Sequence, residues 1–287
     1  MATIRQVRQR IKVAKNIQQI TKAMKMVAAA RLKRAQDRVQ ASRPYSEALK
    51  DVMTSVASTS GNVSHPLLEK RPVINTGFVI ITSDRGLAGS YNSSIFRRAN
   101  EMLKEYNKAN VKLYCVGRKG IQFFSRRNYN VVKEFQIGNT LTVQNAQDIV
   151  SVLKRDFEEQ NVDQIILLYT RFFTAITQKP TDIQLLPMST PQVDASATPN
   201  MVDYIFEPDA KDILKSLIPR YLEGLVYQAL LESTASEHGS RMTAMSNATE
   251  NAGKMIQTLT LQMNRVRQAG ITREISEIVG GAEALKS

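Results

Sequence analysis

Both ends of this chain carry apolar patterns that are too long to fit inside a compact domain. The first pattern runs from about residue 3 to residue 57, with apolar positions three and four residues apart. Such spacing predicts an amphipathic helix, and about 50 residues at about 1.5 Å each make a rod of about 80 Å. Pro44 is the one internal residue expected to bend this helix.

The apolar positions of the N-terminal helix fall into three runs. The second run does not continue the spacing of the first, and we interpret this as a shift of phase in a coiled-coil stripe. The runs are Ile4, Val7, Ile11 and Ala14; Ile17, Ile20, Met24 and Val27; and Leu32, Ala35, Val39, Ser46, Leu49, Met53 and Val56.

The second long pattern covers about residues 209 to 285. Pro208 and Asp209 are typical of a helix start. No proline occurs from Arg220 onwards, so a single helix of roughly 100 Å is expected there. Its heptad stripe comprises Met242, Met245, Thr249, Ala252, Ile256, Leu259, Met263, Val266 and Gly270.

Each of these helices has a narrow apolar stripe that must be buried. Packing the two ends of the chain against each other as an antiparallel coiled coil buries both stripes. Each stripe could instead pair with a second copy of the chain. The shift of phase argues against a long, uniform homodimer, because the supercoil would have to be reset.

Between the two helices the sequence alternates strand-like and helix-like segments. We predict strands at 77–82, 111–117, 163–172 and 181–188, and helices near 93–108, 117–127 and 143–160. Alternation of this kind indicates an α/β fold with a mainly parallel, Rossmann-like sheet. The predicted domains are an N-terminal coiled-coil helix (1–60), an α/β domain (72–190), a linker (191–208) and a C-terminal coiled-coil helix (209–287).

The positive charge is concentrated in the N-terminal helix. The chain has a net charge of +13, and its first 50 residues hold thirteen Lys or Arg but two acids, Asp37 and Glu47. Such an arm is expected to face an acidic surface, such as nucleic acid, anionic lipid or acidic protein. It also resembles a mitochondrial transit peptide, but its pattern continues without a break, which favours a bacterial cytoplasmic protein.

No residue pattern predicts a catalytic or metal site. Cys115 lies within a predicted strand, His65 and His238 have no metal-ligand pattern around them, and no Walker A loop occurs. The glycine-rich stretch SDRGLAGS (83–90) has the wrong spacing for a dinucleotide fingerprint, and we interpret it as a tight turn that uses Gly86 and Gly89. We therefore expect no cofactor and no metal.

Three motifs resemble one known family in the right order along the chain. They are ITKAMKMVAAARLKRAQ (20–36), SDRGLAGSYN (83–92) and ITREISEIVGGAEAL (271–285). They are similar to the gamma subunit of the ATP synthase. The order of a long helix, an α/β domain and a longer helix also matches that family.

The resemblance implies a non-catalytic subunit of the proton-transporting ATP synthase. The coiled coil would be the central rotor shaft within a hexamer of alpha and beta subunits, and the α/β domain would contact the epsilon subunit and the membrane c-ring. The shaft would transmit torque while the beta subunits catalyse. The complex would lie at the cytoplasmic face of a bacterial cell membrane, and this chain would contact the membrane only through the complex.

The resemblance also assigns residues that would contact the beta subunits and couple them to rotation. An acid is common in the family at the position of Lys25, so a lysine there is a departure. First-helix cations such as Arg8, Arg31, Lys33 and Arg34 could contact an acidic lever of the beta subunit. The expected coupling residues are Met24, Lys25, Arg241, Arg267, Gln268, Thr272 and Glu277.

Two other functions fit parts of the sequence without the resemblance. A basic coiled coil could bind nucleic acid by tracking its phosphates. However, the arm has no aromatic residue before Tyr45 that could stack on bases. The α/β domain could also belong to a nucleotide-using enzyme, which would require ATP to bind the isolated chain.

Overall fold

A computed structural model describes residues 3–60, 65–138, 140–188 and 210–284. The chain divides into two compact units. One comprises Met1–Ala28 with Arg241–Ser287 and is called the two-helix unit; the other comprises Ala29–Ser240 and is called the sheet unit. The predicted linker (191–208) and the helix start at Pro208 and Asp209 lie outside the described residues, and the predicted domain boundaries stay a prediction.

The described chain begins and ends with long helices that enclose an α/β segment, as the sequence predicts. Both Pro44 and Pro219 lie inside these helices. In chain order the elements are α1 (Ile4–Ser60), β1 (Thr76–Ile81), α2 (Tyr91–Leu103), β2 (Val111–Val116), α3 (Arg118–Ser125), β3 (Val131–Phe135), α4 (Val143–Glu158), β4 (Gln164–Phe172), β5 (Gln178–Leu186) and α5 (Ala210–Ala284).

The sheet unit contains one five-stranded sheet with the order β3-β2-β1-β4-β5. Strands β1 to β4 are parallel, and β5 pairs antiparallel with β4. The sequence predicts four of these strands and misses β3. The side chains of β3 are exposed or half-buried, so this edge strand lacks the buried apolar run by which the others are detected.

Helices cover both faces of the sheet, so its inner strands β1, β2 and β4 are buried on both sides. On one face, α2 and α3 pack on Phe78, Ile80 and Leu168. On the other face, α4 and the parts of α1 and α5 that belong to the sheet unit pack on Val79 and Leu167. The terminal helices therefore contribute to the core of the sheet unit.

A partly buried ion pair fixes the chain segment that leads into β1. The Nε of Arg71 donates to Asp163 Oδ1 at 2.9 Å, and its Nη2 donates to the backbone oxygens of Phe157 and Val162. The other carboxylate oxygen of Asp163 accepts from the N–H groups of Ile74 and Asn75. Burial alone would raise the pKa of Asp163, but these N–H groups and Arg71 lower it overall.

In the two-helix unit, α1 and α5 run antiparallel. Thr249 Oγ1 donates to Thr21 Oγ1 at 2.8 Å, and a side chain at Gly253 would meet Gln18 Nε2. Residue numbers thus rise on α1 as they fall on α5. All nine stripe positions predicted on α5 are buried or half-buried, and each terminal helix has a partner in the same chain.

The predicted shift of phase in α1 is wrong. Ile17, Ile20 and Val27 are exposed, and the seam instead uses Gln18, Thr21, Met24 and Ala28. A seven-residue repeat continued from the first run leads to positions 18, 21, 25 and 28. Three of these positions lie in the seam, and at the fourth the neighbouring Met24 takes the place of the exposed Lys25, so the helix keeps its register and accepts polar groups in the seam. Thr21 is tolerated there because its hydroxyl has a partner in Thr249.

The same helices are also antiparallel where they belong to the sheet unit. Ser42 Oγ donates to Gln228 Oε1 at 3.0 Å, and Gly224 lies next to Leu49. The third predicted run of α1 is confirmed, since six of its seven positions are buried and Ser46 is half-buried.

Candidate partner-binding surface on the terminal helices

The glycine-rich loop after β1 is held together by its own side chains. Ser83 Oγ donates to Arg85 O at 2.6 Å, and the Asn92 amide donates to Ser83 Oγ at 2.7 Å. Positive φ angles occur at Leu87 and Gly89, at 62° and 55°. Only one of the two predicted glycines therefore has this conformation, and the loop is built as a tight turn.

The second glycine pair of this region also serves packing. Gly117 has a φ of 92°, and a Cβ there would lie 2.3 Å from Thr82 O. The N–H of Gly120 donates to Thr82 Oγ1 at 2.9 Å. The close approach of β1 to the start of α3 thus requires glycine at residue 117.

The cysteine and the two histidines of the chain lie in surroundings that suit a structural role and not a catalytic one. Cys115 is fully buried in β2, and burial, with a smaller effect of Glu134, raises the pKa of its thiol to about 12. His65 Nδ1 accepts from the Leu67 N–H, and burial lowers its pKa. His238 is half-buried in α5. Within the described residues, no three His, Cys, Asp or Glu side chains are grouped to hold a metal ion.

The C-terminal part of α5 is an exposed helix with an apolar stripe. Every residue from Ile271 to Ala282 is exposed. Four of them, at spacings of four, three and one, are Ile271, Ile275, Ile278 and Val279, with 50–71% of their surface accessible. Residues at these spacings share one helix face, and a contiguous exposed apolar face marks an interaction site.

The two-helix unit also exposes large apolar side chains elsewhere. On α1 these include Val13, together with Ile17 and Ile20, which the sequence assigned to the seam. On α5 they include Met255 and Leu261, which is 61% exposed. The outer surface of this unit therefore combines apolar side chains with the lysines and arginines of α1.

The structure places the predicted coupling residues mostly on the surface. Met24 and Arg241 are half-buried. Arg273 Nε donates to the predicted coupling residue Glu277 at 2.7 Å, one helical turn apart. The exposed members of the set are Lys25, Arg267, Gln268, Thr272 and Glu277.

Lys25 lines a polar groove in the two-helix unit. Its walls include Gln18, Thr249 and Glu250, and its volume is about 530 Å³. Lys254 donates to Glu250 at 2.7 Å and lowers the pKa of that carboxyl. Lys25 and the α5 coupling residues Arg267 to Glu277 occupy different stretches of the unit, so the structure does not gather them into one pocket.

In the part of the chain that the structure describes, no helix combines the length and apolarity needed to cross a lipid bilayer.

Comparison with known proteins identifies one family. The family model described as ATP synthase matches residues 3–285. A protein of Pelotomaculum thermopropionicum named ATP synthase gamma chain is 47% identical over 287 residues, covering 100% of both chains. The protein of the same name from Brevibacillus brevis is 47% identical over 284 residues, covering 98% of each.

Solved structures show the same fold. A chain from a structure of the Tetrahymena thermophila mitochondrial ATP synthase central stalk and c-ring has a TM-score of 0.61 and 27% identity. It covers 80% of this chain and 99% of its own length. A chain of the Euglena gracilis mitochondrial ATP synthase has a TM-score of 0.67 at 18% identity, covering 98% and 94%.

Proposed function

Because this chain belongs to the ATP synthase family and is similar throughout to gamma chains, we propose that it is the central rotor subunit of a proton-translocating ATP synthase. It transmits torque between a membrane c-ring and a hexamer of alpha and beta subunits. It has no catalytic site of its own, and the beta subunits carry out the chemistry. The single observation that carries this proposal, beyond the family, is the exposed apolar stripe at the end of α5.

The stripe supports the proposal because an exposed apolar helix face of this kind marks an interaction site. Residues Ile271–Ala282 form about three turns at the end of α5, beyond Gly270, the last half-buried position of the seam. Their stripe of Ile271, Ile275, Ile278 and Val279 has no cover in the described chain. A surrounding ring of alpha and beta subunits would cover this stripe while the helix turns within the ring.

The charge of α1 suits a contact that must be broken and remade as the shaft turns. Exposed ion pairs contribute only about 0–1 kcal/mol each. Thirteen cations over the first 50 residues thus give a broad attraction to an acidic lever without one deep energy minimum. Each angle of the shaft then favours a different state of each beta subunit.

The coupling residues belong to this proposal as positions that contact the beta subunits. Arg267, Gln268 and Thr272 are exposed on α5 over little more than one turn, which suits contact with a loop of a neighbouring subunit. Met24 lies in the seam of the two-helix unit and Lys25 lies beside it on α1, where a contact with a beta subunit would respond to the packing of the two helices. Arg241 and Glu277 complete the set.

The proposal places the epsilon subunit and the c-ring at the sheet unit. The complex is peripheral and lies at the cytoplasmic face of a bacterial cell membrane. Similarity to the ATP synthase gamma chains of Pelotomaculum thermopropionicum and Brevibacillus brevis supports the choice of a bacterial complex.

Reconstitution with alpha and beta subunits from the same organism tests the proposed function. The expected product contains one copy of this chain per three beta subunits and hydrolyses ATP with steady multi-site turnover. Size-exclusion chromatography and the ATPase rate measure the two properties. Absence of a complex at every salt concentration, together with tight DNA binding, would show that the cationic helix serves nucleic acid instead.

A pair of variants shows whether the stripe takes part in assembly. Ile275→Asp places a charge in the stripe, and we expect it to weaken the complex about tenfold or more, since burying one isoleucine contributes about 1.5–3 kcal/mol. Ser276→Asp adds the same charge at the next exposed position, outside the stripe, and is expected to assemble normally.

A further inference from the structure

A groove in the sheet unit collects three arginines from one face of α1. Arg31, Arg34 and Arg38 are spaced three and four residues apart, so their side chains project from the same side of the helix. The groove has a volume of about 220 Å³, and its floor is formed by the buried residues Leu141 and Leu231. The lining is completed by Ala35, Thr140, Thr234 and His238.

The arginines of this groove are not neutralised within the described residues. None of the three forms an ion pair there, and the nearby Asp37 is held by Lys33 at 3.1 Å. Arg38 Nη1 donates to Leu141 O at 3.3 Å, which anchors one guanidinium at the rim of the groove. Three positive charges therefore face one small concave space, and their mutual repulsion favours an anion between them.

The donors of the groove suit phosphate oxygens. Arginine guanidinium groups bind phosphate through paired N–H donors, and three of them offer more donors than one carboxylate accepts. The hydroxyl of Thr234 donates to Leu230 O at 2.8 Å, so the additional hydroxyl donor for an anion is Thr140.

The size of the groove decides between two kinds of acidic occupant. An α-helix with its side chains is about 10–12 Å across and needs a much wider surface. Ligand pockets for drug-sized molecules measure about 300–1,000 Å³, so about 220 Å³ suits something more compact. We propose that this groove binds a compact anion with two or more linked phosphate groups, either pyrophosphate or the polyphosphate part of a nucleotide.

Isothermal titration of the purified full-length chain at low salt tests this proposal independently of any role in a rotor. Pyrophosphate is expected to bind saturably at one site per chain, more tightly than inorganic phosphate. ADP in a parallel titration distinguishes the two sources: an affinity similar to that of pyrophosphate indicates a site that accepts nucleotides. Weaker or absent ADP binding assigns the site to the inorganic anion.

Matched variants locate the site. The double substitution Arg31→Gln with Arg34→Gln is expected to weaken pyrophosphate binding about tenfold or more, because two charge-assisted contacts are lost. Arg5→Gln with Arg8→Gln removes the same charge at the same spacing on α1, outside the groove, and is expected to change the affinity less than about twofold. If the double variant loses helicity, Arg38→Gln alone provides a milder variant, which is expected to bind pyrophosphate about threefold more weakly than the wild type.

Three results would overturn the proposal. One is the absence of saturable pyrophosphate binding. Another is an equal loss in both double variants, which would reflect general attraction to the basic chain. The third is binding of a glutamate-rich peptide at this groove without binding of pyrophosphate, which would assign the arginines to an acidic protein.

Discussion

Replacing Arg71 with methionine is expected to destabilise the sheet unit by about 3–5 kcal/mol, the range for removing one partner of a buried ion pair. The side chains of Arg71 and Asp163 are only 14% and 11% exposed. Methionine would leave the Asp163 carboxylate without its cation and the carbonyls of Phe157 and Val162 without a donor. The guanidinium also lies over the Phe157 ring at 4.3 Å, a contact that would be lost.

Urea denaturation followed by tyrosine fluorescence measures this loss, since the chain contains no tryptophan. The control is Arg98→Met, which breaks a pair of 2.8 Å with Asp182 whose side chains are 43% and 33% exposed. A surface pair of this kind contributes about 0–1 kcal/mol. Equal effects of the two substitutions would contradict the structural role of Arg71.

The cost of Arg71→Met should depend on pH through Asp163. The folded protein lowers the pKa of this carboxyl, whereas the unfolded chain has a value of about 3.9. The stabilisation is therefore present above the unfolded value, reaches its full size by about pH 5, and is lost as the pH falls through the lower, folded value. The difference between wild type and variant should shrink on acidification and remain constant above about pH 5.

Substitution of Gly117 by alanine is expected to have a similarly large effect, about 2–6 kcal/mol. A positive φ of 92° strains any residue with a Cβ, at about 1–3 kcal/mol. The Cβ would in addition lie 2.3 Å from Thr82 O, and overpacking of this kind typically costs about 1–3 kcal/mol more. Because the obstacle is backbone, no side-chain rotation relieves it.

Gly138→Ala is the matched control for this substitution. Its Cβ would meet nothing within 4 Å, and its φ is not in the left-handed region. We expect the free energy of unfolding to change by less than about 1 kcal/mol. Any change should be a stabilisation, because alanine reduces the conformational freedom of the unfolded chain. The same urea denaturation compares both variants, and a tolerated alanine at residue 117 would contradict the tight approach of β1 to α3.

The sequence predicts the architecture well because its signals are periodic and long. The stripe from Met242 to Gly270 keeps its spacing over eight intervals, and buried strands such as β1 form continuous apolar runs. Both signals depend on burial, so they fail where burial is partial. Strand β3, with exposed side chains at an edge of the sheet, gives no such run.

The error in α1 has a different cause. Reading the apolar residues alone selects Ile17, Ile20 and Val27. The helix instead turns Gln18, Thr21 and Ala28, which continue the repeat from Ile4, towards the seam. The polar seam at Gln18 and Thr21 could have been found by following the repeat instead of the residue type. The exposed isoleucines are more simply understood as a surface for a partner, which a single sequence does not distinguish from a seam.

The coupling residues come from family resemblance, since no local pattern singles them out. Arg267, Gln268 and Thr272 are ordinary exposed residues of a helix, without a pocket or a buried polar partner to mark them. Their role depends on a surface contributed by other subunits. A single chain therefore predicts the fold and the presence of a binding surface better than the individual contacts on it.

The most direct test of the rotor function is a covalent tether between this chain and the catalytic ring. Leu261 is 61% exposed on α5 and lies where α1 still packs against that helix. In a complex reconstituted with alpha and beta subunits, Leu261→Cys would be joined by a disulfide to a cysteine introduced on the facing subunit. The native Cys115 does not interfere, because it is fully buried and its pKa is raised to about 12.

The measurement is the ATPase rate before cross-linking, after it, and after reduction of the disulfide. If the chain rotates within the ring, the tether should lower multi-site turnover at least about tenfold, because each turnover requires α1 and α5 to move relative to the ring. Reduction of the disulfide should restore the rate. Untethered complex treated with the same oxidant should keep its rate. Unchanged turnover in a fully cross-linked complex would contradict rotation and leave the chain as a static scaffold.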